Sequence, residues 1–197
     1  MKRSKPHCVP LTGLVVSVEL LSNSRSSFKR SCGDSGGVIS SGLTIGFTGG
    51  EATLRNDLPE LIHHAESNGQ ITGLNTNARR LSDERYVKKL VDAGLDHVQI
   101  TVESCDEQIH DEMMRARGAF RQTTQGLKNV LATRLYVMTN TTMLRTNVHT
   151  IPATLDFLAE IGVPTIGLNA LIHSGHGLTV GTGLRESELQ PILDIAT

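Results

Sequence analysis

Polar residues that could bind a ligand follow short apolar segments at five places in the chain. Amide, hydroxyl and carboxylate groups supply the donors and acceptors that a small molecule with amine and hydroxyl groups requires. The ends of surface loops are polar in any case, so the alternative is that these residues have no ligand. We favour ligand binding for the set, which comprises Gly49, Gly50 and Glu51, Asn75 and Asn77, Glu103, Ser104 and Cys105, Asn140, Thr141 and Thr142, and Asn169, His173 and Ser174.

The elements that must position these residues alternate between two patterns. Short aliphatic and β-branched runs predict six strands, at 14–18, 43–48, 71–76, 97–102, 135–139 and 165–171. Apolar residues at helical spacing predict helices at 57–69, 82–94, 120–132 and 151–162, and from 189 onward. Strand–helix–strand order predicts right-handed crossovers and a parallel sheet. The predicted fold is therefore an α/β, partial parallel barrel of six β/α units, with its ligand at the carboxyl ends of the strands.

The domain organisation follows from the same patterns. We expect a short tail at 1–11 and one barrel-like domain at 12–197, because no low-complexity linker divides the chain. Residues 30–42 separate the first two predicted strands, contain four glycines and show no apolar helical stripe. A parallel crossover needs about a dozen residues or more. We therefore expect the first crossover helix to be shortened or lost.

The segment 45–51, which reads Ile-Gly-Phe-Thr-Gly-Gly-Glu, resembles the second-strand motif Gly-Gly-Glu-Pro of radical S-adenosylmethionine (SAM) enzymes. The resemblance extends over about residues 12–177 and continues in order through the segments 54–61, 74–77, 90–98, 109–111 and 118–120. It implies a [4Fe-4S] cluster on a Cys-x3-Cys-x2-Cys motif and reductive cleavage of SAM to a 5'-deoxyadenosyl radical. Members that modify peptides or tetrapyrroles are the most similar, which implies a substrate of one of these classes.

The same resemblance implies which residues contact SAM. Gly49, Gly50 and Glu51 would present backbone carbonyls and a carboxylate to the SAM ammonium group. Contacts to the ribose and methionine parts of SAM are implied for Asn75, Asn77, Glu103 and Ser104. Asn140 and Asn169 are less specific candidates at the rim. Two small departures are Ala52, where Pro is usual, and Ala78, where Gly often follows the Asn.

The cluster motif is where the sequence departs from the family. Its three ligand positions read Ser22, Ser26 and Lys29, and no other Cys-x3-Cys-x2-Cys occurs in the sequence. Iron–sulfur clusters are held by thiolates, which neither a hydroxyl nor an ammonium group replaces. We therefore predict that this copy lacks the cluster, binds SAM weakly and is catalytically impaired, as a pseudoenzyme would be.

Two alternatives remain open at this stage. The first is a module that binds SAM or a partner without redox chemistry. The second is another parallel α/β enzyme with Glu51 or Glu103 as a base, although no lysine follows a strand to form a Schiff base. His173 and His176 could bind a metal, but no further ligand is evident.

Composition excludes several other classes. The net charge is -1, 3% of residues are aromatic and Trp is absent, so neither nucleic-acid binding nor an anionic membrane surface is expected. The apolar runs are too short to span a bilayer. Three widely spaced cysteines give no disulfide framework and are typical of a reducing compartment, so a cytoplasmic protein is expected. The sequence does not indicate an oligomeric state.

Overall fold

The computed structural model describes residues 14–20, 43–171, 183–185 and 187–190. Its six strands are β1 (Leu14–Leu20), β2 (Leu43–Gly49), β3 (Ile71–Thr76), β4 (His97–Thr101), β5 (Tyr136–Met143) and β6 (Thr165–Ala170). Its α-helices are α1 (Leu58–Ser67), α2 (Glu84–Asp92), α3 (Glu107–Met113), α4 (Ala119–Leu131) and α5 (Ile151–Ile161). Three short 3-10 helices lie at Ala52–Leu54, Arg80–Ser82 and Val148–Thr150.

The strands form one six-stranded sheet in the order β1-β2-β3-β4-β5-β6. Every neighbouring pair from β2 to β6 is parallel, which confirms the predicted α/β fold with a partial parallel barrel. The carboxyl ends of β2 to β6 therefore lie at one edge of the sheet, which we call the carboxyl edge.

The first strand differs from the prediction, because β1 pairs with β2 in the antiparallel direction. Leu14 lies opposite Gly49 and Leu20 lies opposite Leu43, so β1 ends at the edge remote from Glu51. An antiparallel pair requires no crossover helix, unlike a parallel pair. The prediction of a lost helix rests on residues 30–42, which are outside the described part of the chain.

The core lies between the sheet and its helices. In β4 and β5 buried and partly exposed residues alternate, as expected for strands with one face against helices. The covered face contributes residues such as Leu74, Val98, Ile100 and Val137 to a cluster with Leu58, Ile62, Leu90, Leu127 and Leu158 from the helices. The opposite face, which we call the open face, carries the remaining side chains of each strand, Asn75, Gln99, Thr101 and Asn140 among them.

Two elements differ from the sequence-based predictions. Strand β5 continues to Met143, so Asn140, Thr141 and Thr142 lie within the strand and pair with β6. The reason is a continued period-2 pattern, in which Thr139, Thr141 and Met143 are buried. Helix α3 was not predicted; Asp106 caps it by accepting hydrogen bonds from the backbone N–H groups of Gln108 and Ile109.

The turn after β3 packs tightly on α4. Ala78 is fully buried and has a left-handed backbone with φ of 58°, which side-chain-bearing residues rarely adopt. A Cβ atom added at Gly126 would lie 2.3 Å from the backbone oxygen of Ala78. Glycine at position 126 thus permits the helix and the turn to touch. Within the described ranges, no helix has the length and apolar content needed to cross a bilayer.

Candidate functional site

A cavity of about 280 Å³ opens at the carboxyl edge, where β2, β3, β4 and β5 contribute to its walls. Its lining contains six of the nine residues that the sequence predicted as cofactor ligands, namely Gly49, Gly50, Glu51, Asn75, Asn77 and Asn140. The other lining residues are Thr48, Thr76, Gln99, Thr101 and Met114. The walls are thus mainly amide, hydroxyl and backbone groups. Such groups bind ligands through hydrogen bonds.

Gln99, Thr101 and Met114 are pocket residues that the sequence analysis missed. Gln99 and Thr101 lie on the open face of β4, opposite Asn75 of β3 and Asn140 of β5 respectively. Both alternate with the apolar residues Val98, Ile100 and Val102 of the predicted strand at 97–102, and this pattern could have found them, because alternate residues of a strand share a face. Met114 follows α3, and no local signal in the sequence indicates that it reaches the pocket.

The carboxylate of Glu51 is engaged by the protein itself. Oε1 accepts hydrogen bonds from the Thr53 backbone N–H at 3.1 Å, the Thr53 hydroxyl at 2.6 Å and the Thr76 hydroxyl at 2.7 Å. Oε2 accepts one from the Asn77 backbone N–H at 2.8 Å. A carboxylate has about four acceptor positions, so four donors use most of its capacity. Glu51 therefore ties the end of β2 to the end of β3 and shapes the pocket wall.

The turn after Glu51 is held from its other side by Arg80 and Tyr86. The Arg80 guanidinium donates a hydrogen bond to the Thr53 carbonyl oxygen and stacks on the Tyr86 ring, 4.2 Å from its centroid. The Tyr86 hydroxyl lies 3.5 Å from the same carbonyl oxygen. The wall that carries Gly49, Gly50 and Glu51 is consequently anchored to the start of α2.

Asn77 has a structural role beside its place in the pocket. Its side-chain oxygen accepts a hydrogen bond from the Arg79 backbone N–H at 3.0 Å, and its carbonyl oxygen accepts one from the Thr123 hydroxyl at 2.8 Å. The side-chain bond is typical of Asn in turns. Asn75 is exposed on the open face of β3 and has a free amide within the described residues.

Glu103 lies just beyond the pocket, two residues after Thr101. It is 9% exposed, and the hydrogen bond from the Thr142 backbone N–H to Oε2, at 2.9 Å, is the one its side chain forms with described residues. Burial raises the pKa of the Glu103 carboxyl to about 7, against the opposing effect of the Thr142 hydrogen bond. A carboxyl group that exchanges its proton near neutral pH is a common feature of functional sites.

The backbone of Glu103 is fixed by two further side chains. Its N–H donates to Nδ1 of His110 at 3.3 Å, and its carbonyl oxygen accepts from Nδ2 of Asn147 at 2.6 Å. His110 is fully buried, and burial lowers the pKa of its imidazole to about 4, so the ring is neutral with its proton on Nε2. Nε2 has no hydrogen-bond partner among the described residues.

The remaining predicted residues do not line the pocket. Ser104 is fully buried, and its hydroxyl bonds to the Thr150 hydroxyl and accepts from the Asp106 backbone N–H. Asn169 is exposed on β6, opposite Thr142. Cys105 is a free, partly exposed thiol. Outside the described residues lie the predicted cluster positions and loop residues, which are Ser22, Ser26, Lys29, His173, Ser174 and His176.

A second concavity, of about 910 Å³, lies on the outer surface between α3 and α4 and is lined by carboxylates and arginines. Asp111 accepts hydrogen bonds from the backbone N–H groups of Gly118 and Phe120, and Glu107 pairs with Arg121. The turn between the helices contains Arg115, which is exposed and has a left-handed backbone with φ of 51°. These acidic groups serve the turn, so this concavity is a weaker ligand site than the pocket.

The chemical groups available in the described residues suit SAM but not a [4Fe-4S] cluster, the two cofactors that the resemblance implies. The pocket fits part of a SAM molecule, because amides, hydroxyls and backbone groups suit a nucleoside and an amino acid. The described residues do not offer the donors that a [4Fe-4S] cluster requires. Cys105 is the one thiol in the described part of the chain, and no group of three His, Cys, Asp or Glu residues there could hold a metal ion.

Comparison with known proteins agrees with this geometry. The sequence profile of the radical SAM superfamily matches residues 40–170. The chain is 35% identical over 131 residues to Fe-coproporphyrin III synthase of Methanosarcina barkeri, which covers 66% of the chain and 32% of that protein. It is 39% identical over 110 residues to PqqA peptide cyclase of Bradyrhizobium diazoefficiens, which covers 56% of the chain and 29% of that protein. The chain thus spans about a third of the length of these curated relatives.

Comparison with solved structures concerns the architecture of the chain. The solved structure of native anSMEcpe with bound AdoMet superposes with a TM-score of 0.58 and 15% identity, over 77% of this chain and 45% of that one. This likeness concerns the fold. The profile match, by contrast, extends over more than half of the 197 residues and includes the strands that form the pocket. The chain therefore belongs to the radical SAM superfamily.

Proposed function

We propose that this chain is a radical SAM domain that binds SAM weakly at the carboxyl edge and does not carry out cluster-dependent cleavage. The observation that carries the proposal is a formed pocket in a sequence whose cluster positions read Ser22, Ser26 and Lys29. Thiolates are the ligands that hold an iron–sulfur cluster. The antiparallel β1 also supports the proposal, because that strand ends at Leu20 beside Leu43, away from Glu51.

The residues of the pocket would hold SAM through its adenosine part. Asn75, Gln99, Thr101 and Asn140 offer amide and hydroxyl groups on the open face, and Gly49 and Gly50 offer backbone groups without side chains in the way. When bound in this family, the cluster chelates the amino and carboxylate groups of SAM. Loss of that chelation costs several kcal/mol, and about 1.4 kcal/mol corresponds to tenfold in affinity. We therefore expect a dissociation constant on the order of hundreds of micromolar.

The substrate class follows from the relatives and is part of the proposal. One relative is named as a coproporphyrin synthase and the other as a peptide cyclase, so a tetrapyrrole or a peptide is the class of partner we propose. We also propose that the protein acts in the cytoplasm. The competing function is a module that binds a partner and does not bind SAM. The anchored pocket wall at Thr53, Arg80 and Tyr86 is compatible with both functions.

Two measurements on the same sample test the proposal. Anaerobic reconstitution with iron and sulfide is expected to leave the protein without stoichiometric iron and without thiolate-to-iron absorbance. About four irons per chain that survive desalting would overturn the predicted absence of the cluster. Calorimetry with SAM is expected to show weak binding, and Asn140→Ala and Thr101→Ala are expected to weaken it further. No binding by protein shown to be folded would instead favour the partner-binding module.

A further inference from the structure

We infer that residues 183–185 and 187–190, which we call the clamp segment, hold the turn after β5 in place, and that docking of this segment and binding of a ligand in the pocket strengthen each other. The second half of the inference rests on the proposed function, since SAM is the ligand that tests it. The first half concerns the protein alone.

The clamp segment is attached through two leucines to an apolar cluster that is separate from the main core. Leu184 is 9% exposed and packs with Met143 at the end of β5 and with Ile151 at the start of α5. Leu189 packs against the same cluster. Burial of these apolar side chains brings the segment to the turn that follows β5. The other members of the cluster are partly buried, namely Val148, Leu155 and Leu168.

An ion pair fixes the clamp segment to the turn itself. Nη1 and Nη2 of Arg145 donate hydrogen bonds to Oε1 and Oε2 of Glu188 at 2.6 and 2.8 Å. Oε2 of Glu188 also accepts the Arg185 backbone N–H at 2.7 Å, which orients the carboxylate. Two parallel charge-assisted hydrogen bonds give the pair a defined geometry that most contacts between surface charges lack.

Asn147, two residues after Arg145, connects the same turn to the chain after β4 and to the end of β5. Its Nδ2 donates to the carbonyl oxygens of Glu103 at 2.6 Å and Thr142 at 3.0 Å, and its Oδ1 accepts the Leu144 N–H at 2.8 Å. Asn147 is fully buried, so loss of these bonds would leave buried polar groups without partners. The turn therefore keeps these two parts of the carboxyl edge aligned.

The residues that Asn147 holds lead directly to the pocket. Asn140 lines the pocket and lies two residues before Thr142 on β5. Its carbonyl oxygen accepts the Val102 N–H at 3.0 Å, and the Thr141 hydroxyl donates to the Val102 carbonyl oxygen at 2.6 Å. A displacement of the turn would therefore be transmitted through the last residues of β5 to a wall of the pocket.

The clamp segment can leave while the rest of the protein stays folded. It is held mainly by the two leucines and by an ion pair whose side chains, on Arg145 and Glu188, are 47% and 36% exposed. Segments with few buried contacts open more readily than the whole fold. A ligand that binds the ordered pocket wall favours the docked state, and by linkage docking then favours the ligand by the same factor.

Trypsin cleavage after Arg185 measures how often the clamp segment leaves. The Arg185 carbonyl oxygen accepts the N–H groups of Glu188 and Leu189, and its own N–H donates to the Glu188 carboxylate, so the docked backbone is not free to enter a protease. Cleavage by dilute protease follows the population of the open form. In Arg145→Gln the rate is expected to rise about three- to tenfold, because the Glu188 carboxylate loses its cation.

A double-mutant cycle shows whether the ion pair is the cause. Glu188→Gln keeps an oxygen for the Arg185 N–H and is expected to raise the rate by a similar factor. The variant with both Arg145→Gln and Glu188→Gln is expected to match the single variants rather than to multiply their effects, since two residues that act as a pair are not additive. Lys88→Gln, which removes an exposed ion pair with Asp92 on α2, is expected to leave cleavage unchanged.

Saturating SAM tests the coupling to the pocket. SAM is expected to slow cleavage after Arg185 about three- to tenfold in wild type, because it favours the docked state. Cleavage after Arg134, in the exposed turn that follows α4, is expected to keep its rate. The affinity for SAM falls only once the segment is mostly undocked. Calorimetry is therefore expected to show a loss of up to about tenfold in Arg145→Glu, which places two carboxylates together.

The outcomes separate the two halves of the inference from the proposed function. Unchanged cleavage after Arg185 in Arg145→Gln, or multiplied effects in the double variant, would overturn the clamp. Faster cleavage in Arg145→Gln, with SAM bound by wild type but without effect on cleavage after Arg185, would overturn the coupling and leave the proposed function standing. Absence of SAM binding by folded wild-type protein would overturn the proposed function and the coupling with it, whereas the clamp is decided by the variants without SAM.

Discussion

Gly126 of α4 lies directly against the backbone of Ala78, so that a Cβ at position 126 would be 2.3 Å from the Ala78 carbonyl oxygen. The contact brings α4 to the turn that follows β3, and this turn begins with Asn77 at the pocket. A single hydrogen atom in place of a methyl group thus decides how closely the helix approaches the site.

Gly126→Ala is therefore expected to destabilise the fold, even though Ala is the better helix former by about 1 kcal/mol. A contact of 2.3 Å with a backbone atom forces the helix or the turn to move, which we expect to cost a net 1–3 kcal/mol, roughly. Urea unfolding followed by circular dichroism measures the change. Lys128→Ala, an exposed substitution on the same helix, should stay within about 0.5 kcal/mol of wild type; equal stability of both variants would contradict the packing described.

Arg115→Gly is expected to stabilise the protein. Arg115 is exposed and has φ of 51°, a conformation that costs a non-glycine residue about 1–2 kcal/mol. Relief of that strain exceeds the added flexibility of the unfolded chain, so we expect a gain of up to about 1 kcal/mol. The matched control is Arg117→Gly, also exposed but without positive φ, which should lower stability by roughly 0.5–1 kcal/mol. Thermal unfolding of the two variants in parallel should give shifts of opposite sign.

Glu103→Gln is expected to stabilise the free protein at alkaline pH. The Glu103 pKa is about 7 in the folded state against an ordinary value of 4.5, so the folded state holds a proton that the unfolded state has lost between these values. Stability from this group is complete below pH 4.5 and is lost as the pH rises through about 7. The variant does not titrate and should exceed wild type by roughly 2–3 kcal/mol at pH 8, at about 1.4 kcal/mol per pKa unit.

The pH profile distinguishes this effect from a general gain in stability. Near pH 4.5 the two proteins should have similar free energies of unfolding, and the difference should open between pH 5 and pH 8, roughly. Glu60→Gln, which alters an exposed carboxylate, should show no such opening. A constant difference at all pH values would mean that the carboxyl of Glu103 titrates normally.

Restoring the three cysteines is expected to be insufficient to restore tight SAM binding. The variant carries Ser22→Cys, Ser26→Cys and Lys29→Cys, and position 22 follows Leu20 by two residues. Leu20 lies beside Leu43, at the other end of the seven-residue β2 from Gly49 and the pocket. Even when iron analysis shows the variant to be loaded, calorimetry should give a SAM affinity within a few-fold of wild type. A gain of a hundredfold or more would mean that the cluster reaches the carboxyl edge.

Much of the fold follows from local sequence patterns. Aliphatic and β-branched runs located all six strands to within a few residues, because such runs fit a buried strand whatever its neighbours. Such patterns do not give the direction of a strand relative to its neighbour. Leu14–Leu20 has the same pattern whether it pairs parallel or antiparallel with β2, so the predicted direction of β1 was wrong. The seven-residue α3 has too few apolar positions to stand out, and it depends on its Asp106 cap.

Some residues of the site could also be predicted from the sequence. Amide residues at strand ends, such as Asn75 and Asn140, are recognisable because topology alone brings them to one edge. The sequence could not show that the Glu51 carboxylate accepts more hydrogen bonds than the Glu103 carboxylate. This difference depends on donors from Thr76 and Asn77, which belong to another strand and its turn. Ser104 was included for its polarity, yet its hydroxyl is consumed within the turn to α3.

The hydrogen bonds to Glu51 also make the pocket wall observable in solution. The backbone amides of Thr53 and Asn77 both donate to this carboxylate, although neither belongs to a strand ladder at that point. Their exchange with deuterated solvent is therefore slow only while the wall is closed around Glu51. The two rates should rise together in Glu51→Gln, and they would report local opening of the wall in the free protein, with no ligand and no assay of activity.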